Sequence, residues 1–156
     1  MTGATYQASP YRYGEAWVDY IDVTTPAAGA AASYAIPGEY GVRVLAARAA
    51  LATDANAANR LVSLDFITPN GVTRVRNCAA VVWTANTSAQ TFVWNQAWAV
   101  SEWAANTPVL VPLLGLLLPP TWVVKFAVDN IQSGDTLTAL SLVVEKVPTG
   151  ARAETR

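Results

Sequence analysis

From Glu39 onward apolar and polar positions alternate with a period of two. Tyr40, Val42, Val44 and Ala46 share one face of a candidate strand, with Arg43 opposite. Val62, Leu64 and Phe66 alternate with Ser63 and Asp65, the pattern of a half-buried antiparallel strand. Pro69-Asn70-Gly71 predicts a turn, because Asn-Gly tolerates positive φ. A strand from Val72 to Trp83 follows, with a break predicted near Asn77, and then a turn at Asn86-Thr87-Ser88. Phe92, Trp94, Gln96 and Trp98 alternate with Thr91, Val93, Asn95 and Ala97. Val109 to Leu118 predicts one or two short strands bent at Pro112 and Gly115. Trp122, Val124, Phe126 and Val128 face away from Thr121, Lys125 and Asp129, and Ser133-Gly134-Asp135 turns the chain. The last strand, Thr136 to Val147, has Leu137, Val143 and Val147 on one face and Leu140, Leu142 and Val144 on the other, so it is expected to be covered on both sides. The alanine-rich stretch from Val44 to Asn59 is interrupted by Thr53-Asp54 and Asn56, which favours strand then loop over helix.

Seven or eight short strands with frequent turns predict an all-β fold, an antiparallel β-sandwich, with jelly roll the favoured topology. The sandwich is expected over residues 38–148, followed by a polar tail at 149–156. Residues 1–37 lack a sustained period and hold five of the six tyrosines. They predict an extended N-terminal arm with at most one short strand. Disordered tails are poor in aromatic residues, so an arm that docks on a neighbour is expected, with Tyr6, Tyr11, Tyr13, Trp17 and Tyr20 as its contacts.

Composition changes the picture in one respect. Only 13% of residues are charged, about half the usual share. Such a chain either enters a membrane or hides surface against other subunits. The charge-free span from Trp103 to Val124 contains Pro108, Pro112, Pro119 and Pro120, which a membrane helix cannot accommodate. The start of the chain is polar and aromatic without an apolar leader, so synthesis in the cytoplasm is expected. A net charge of −1 argues against nucleic acid.

Candidate chemistry is sparse. The chain has no histidine, which removes the commonest general base and metal ligand, and a single cysteine, Cys78, read as a small buried hydrophobe. No phosphate-binding glycine loop or calcium loop is present, and Asp135 is expected to bond its own turn. No catalytic residue, metal or cofactor is predicted. The tryptophans offer the alternative signal, since tryptophans exposed on a sandwich can stack on sugar rings. Trp94, Trp98 and Trp122 fit the apolar faces of their strands. Trp103, in a predicted loop, is the best candidate for an exposed contact. Arg43, Arg48, Arg60, Arg74 and Arg76 are candidates for a basic patch, with Arg74 and Arg76 on one strand face, and are expected to pair with acids on a neighbour or with Asp65 and Glu39.

The runs Ile36-Pro37-Gly38-Glu39-Tyr40-Gly41-Val42-Arg43-Val44-Leu45, Leu51 to Leu64, Leu118-Pro119-Pro120 and Ile131-Gln132-Ser133-Gly134-Asp135-Thr136, with a strand closing on Val143-Val144-Glu145, resemble small jelly-roll virion proteins of tailed bacteriophages, especially capsid decoration (cement) proteins. The resemblance spans about residues 36–147. It implies a non-enzymatic subunit on the capsid surface, made in the host cytoplasm. The implied partners are copies of itself, as a trimer, and the phage major capsid protein. A tail, fibre or head-fibre module recognising a glycan or host surface, or a head–tail connector component, remains an alternative.

Overall fold

A computed structural model of the chain describes residues 15–87, 89–95 and 108–149. Among these residues there are ten strands: β1 (Trp17–Asp22), β2 (Ala32–Ala35), β3 (Tyr40–Ala52), β4 (Arg60–Ile67), β5 (Thr73–Trp83), β6 (Gln90–Asn95), β7 (Val109–Pro112), β8 (Leu117–Leu118), β9 (Val123–Asp129) and β10 (Thr136–Pro148). They form an antiparallel β-sandwich. One sheet has the order β1-β10-β3-β6-β7, with β8 also paired to β3, and the other has the order β2-β9-β4-β5. The exception to antiparallel pairing is β6 with β7, which run parallel.

The inward faces are the ones the alternation marks, except in β3, where a bulge at the Val143/Val144 pairing leaves Leu45 as an extra residue and turns Ala47, not the expected Ala46, into the core. Val62, Leu64 and Phe66 of β4 meet Val42, Val44 and Ala47 of β3 in one core, with Phe92 and Trp94 of β6 and Val124, Phe126 and Val128 of β9. Trp94 is fully buried and lies edge-on to Phe126 of the other sheet, with ring centroids 5.9 Å apart. Its Nε1 donates to the Asn77 carbonyl at 2.9 Å, so a hydrogen bond as well as packing joins the sheets.

Several expectations need correction. Residues 17–22 and 32–35, assigned to the extended arm, are strands built into the sandwich, one in each sheet. Trp17, Asp19 and Ile21 turn toward the protein while Val18, Tyr20 and Asp22 are exposed, an alternation too short to stand out from the sequence. β5 runs unbroken through Asn77. The inward amide is satisfied there: Nδ2 donates to the Leu64 carbonyl at 3.1 Å, and Oδ1 accepts from the Leu114 amide at 3.2 Å. The irregularity lies further along, where Leu61 and Ser63 pair with Val82 and Cys78 and leave extra residues in β5. In β10 a bulge between Thr138 and Ser141 shifts the parity. Leu137 therefore joins Leu140, Leu142 and Val144 in the core instead of facing the other way.

One corner of the sandwich is held by charge. The Arg60 side chain is fully buried where β4 begins. Its Nε and Nη2 donate to the two Asp135 carboxylate oxygens, both at 2.9 Å, and Nη2 also donates to Asp54 at 2.7 Å. Nη1 donates to the Asn56 and Ala58 carbonyls. The Asp54 carboxylate in turn accepts from the Gly134 amide, and a Cβ on Gly134 would stand 2.7 Å from that carboxylate. Glycine is the residue that fits there.

Candidate interaction surface

The two outward faces of the sandwich differ. On the four-stranded sheet the register sets Ser33, Lys125, Asp65 and Arg76 in one row across four strands. Arg76 donates to both Asp65 and Asp129, and those carboxylates, Asp65 first, move its guanidinium pKa up despite partial burial. Cys78 stands beside this network, half-buried and outward, so it is not the core residue expected; burial pushes its thiol up.

The six-stranded sheet carries most of the exposed apolar residues. Six of the eight exposed large apolar side chains among the described residues belong to it or to its β7–β8 connection. They form two groups at opposite edges. Val18 and Tyr20 lie on β1, and Leu110, Leu114, Leu116 and Leu117 lie on and between β7 and β8. β7 leaves its outer edge unpaired by other described strands, and Pro112 closes it. Leu110 is 54% exposed and Leu114 53% exposed. Residues 108–124, which contain this leucine group, include no charged side chain. No polar ring screens the leucines from within their own segment. Exposed leucines gathered on one charge-free segment make it a candidate contact surface.

Between the two groups the sheet face is less apolar. Arg43 of β3 bonds Glu145 of β10 at 2.6 Å, beside Leu117 in the same row. The next row runs Tyr20, Val143, Ala46, Asn95, Pro112, and the one beyond it Asp22, Ser141, Arg48, Val93, Leu110.

Of the predicted contact residues, Tyr20 is 54% exposed on this face. Trp17 is half-buried on the inward side of the same strand, edge-on to Tyr40 at 5.8 Å. Tyr6, Tyr11, Tyr13 and Trp103 lie outside the described residues, as do Trp98 and the 150–156 part of the predicted tail. Among the described residues no tryptophan is exposed: Trp94 is fully buried, and Trp83 and Trp122 are partly buried against the core. The leucine group is the feature that residue-by-residue reading passes over. Its signal in the sequence is the charge-free run itself.

The acids are largely committed to cations. Asp54 and Asp135 face Arg60, Asp65 and Asp129 face Arg76, Glu145 faces Arg43, and Asp19 faces Lys146. The Lys146 bond holds the Asp19 carboxyl below its ordinary range. Among the described residues no group of His, Cys, Asp and Glu could hold a metal ion. Among the described residues no helix is long and apolar enough to cross a membrane. Compared with protein-family models, with curated proteins and with solved structures, the chain matches none.

Proposed function

We propose that the chain is a structural subunit of a virion: a decoration protein that sits on the capsid surface of a tailed phage as a homo-oligomer, a trimer, and stabilises the shell through contacts between subunits. The observation that carries the assembly reading is the leucine group Leu110, Leu114, Leu116 and Leu117, exposed at one sheet edge on a chain of low charge. Burying apolar surface there contributes roughly 25 cal/mol per Å² before the entropic cost of association. Repetition over a lattice turns modest contacts into avidity.

Strand order supports the jelly-roll form of the reading. In chain order, leaving out β7 and β8, the pairs are first with last (β1–β10), second with seventh (β2–β9), third with sixth (β3–β6) and fourth with fifth (β4–β5). That order is the one expected of a long hairpin rolled into two sheets, which supports a jelly roll. The leucines then sit on the insertion between the sixth and seventh strands, where a fold can carry a contact surface without disturbing its core. Acids committed to ion pairs support a non-enzymatic role.

The test is co-sedimentation with emptied phage heads. The protein should pellet with expanded shells at saturating stoichiometry. A Leu114→Lys, Leu117→Lys variant that remains folded should stay in the supernatant. Failure of the wild-type protein to pellet with shells that lack their own decoration would sink the capsid assignment.

A further inference from the structure

At the β1 edge, four strand spacings from the leucine strand β7, about 19 Å at ~4.8 Å each, the sheet face has a shallow pocket of about 250 Å³. Its wall includes Tyr20, Asp22, Thr25, Arg48, Ala139 and Ser141. The register explains the grouping. Asp22 of β1 is opposite Ser141 of β10, and Ser141 is opposite Arg48 of β3, so a carboxylate and a guanidinium flank a small side chain on one row. Tyr20 lies one row along on the same face. The β10 bulge forms one wall, with Ala139 at φ 51°, a conformation that costs a non-glycine residue energy.

Arg48 and Asp22 share this wall without bonding each other. Neither belongs to an ion pair among the described residues, whereas Arg43, in the row beyond Tyr20, is closed against Glu145. The Arg48 Nε is buried and has no hydrogen-bond partner among the described residues. A buried donor left unmet is unfavourable until an acceptor arrives.

From this geometry we infer that the pocket is a subsite for a neutral saccharide ring. An anion that met Arg48 would face Asp22, and a cation that met Asp22 would face Arg48. A pair of neighbouring hydroxyls satisfies both: one oxygen accepts from the Arg48 guanidinium, and the other hydroxyl donates to the Asp22 carboxylate. The C–H face of the sugar covers the exposed Tyr20 ring. The volume suits one ring, below the usual span of pockets that enclose larger ligands. The inference goes beyond the assembly reading and uses residues at the opposite edge from the leucine group. A subunit seated by its leucines would leave this edge to meet sugars on a cell surface.

The probes are the methyl glycosides of glucose, galactose, mannose and N-acetylglucosamine, followed by saturation-transfer NMR on the full chain. At least one should bind with a Kd of about 1–10 mM, as suits a single shallow subsite. Tyr20→Ala and Asp22→Asn, both at exposed positions, should weaken it by roughly tenfold or more with unchanged thermal melting. Arg48→Gln should do the same. No transfer to any of the four glycosides overturns the assignment. So does binding that survives all three substitutions. Sulfate binding without sugar binding overturns it too, since the site would then answer to charge alone.

Discussion

Arg60 and Asp135, seventy-five positions apart, meet as a two-point ion pair in which neither side chain is exposed. The pair ties the start of β4 to the β9–β10 turn. Removing one partner strands the other charge, so Asp135→Ala should cost about 3–5 kcal/mol in denaturant titrations. Burial pushes the Asp135 carboxyl up, but the bonds from Arg60 and from the Gln132 and Asp54 amides outweigh it and leave it below its ordinary value of 3.8. A carboxyl lowered in the folded state contributes stability that is complete above the unfolded value and lost as pH falls through the folded one. Calorimetric melts from about pH 7 to about pH 2 should therefore show the wild type losing stability faster on acidification than Asp135→Asn does.

A second link between the sheets runs through Asn77. Its side chain serves the Leu64 carbonyl and the Leu114 amide, and its own carbonyl takes the Trp94 Nε1 hydrogen. Asn77→Leu keeps the branched shape but removes the bonds to the Leu64 carbonyl and the Leu114 amide, so it should cost about 1–3 kcal/mol. Trp94→Phe leaves the Asn77 carbonyl without its donor and opens space in the core, and should also destabilise. Chemical denaturation of the two single variants and the double variant gives their coupling, which should be nonzero.

Thr121 holds φ at 68°, unusual for a β-branched residue. It follows Pro119-Pro120 in a turn closed by the Trp122 amide on the Pro119 carbonyl, while its own amide donates to the Ile36 carbonyl. Those bonds keep it there. Thr121→Gly removes the steric cost and should stabilise the fold by about 1 kcal/mol, read as a raised melting temperature. Asn86 and Asn130 also have positive φ, but asparagine tolerates it, so glycine at either position should gain less.

The leucine group should separate assembly from folding. Leu114 and Leu117 are exposed, so Leu114→Lys with Leu117→Lys should change stability by no more than about 0.5 kcal/mol per site. The same double variant should lose self-association, as read by sedimentation velocity. An assembled double variant would move the contact elsewhere on the surface.

The strand faces were legible because alternation is local. Val62, Leu64 and Phe66 needed no partner to reveal which way they point. The pairings that matter most were not local. Nothing near Arg60 in the sequence indicates Asp135, and a buried arginine is legible only once its acceptors are in place. Bulges hide for the same reason: Leu137 and Leu140 are out of step by parity alone, and only the partner strand β3 shows that both turn inward. Trp17 and Tyr20 were singled out as aromatic contacts of a docked arm. The fold uses Trp17 against Tyr40 within the sandwich and leaves Tyr20 on its surface. Deleting residues 1–37 would therefore remove a strand from each sheet, and an arm test should delete residues 1–14 alone.

The central claim is that this subunit works by association. Light scattering of the purified chain at several concentrations tests it most directly. A stable oligomer, with the mass of three chains across the series, is the predicted result. A monodisperse monomer at every concentration would contradict it.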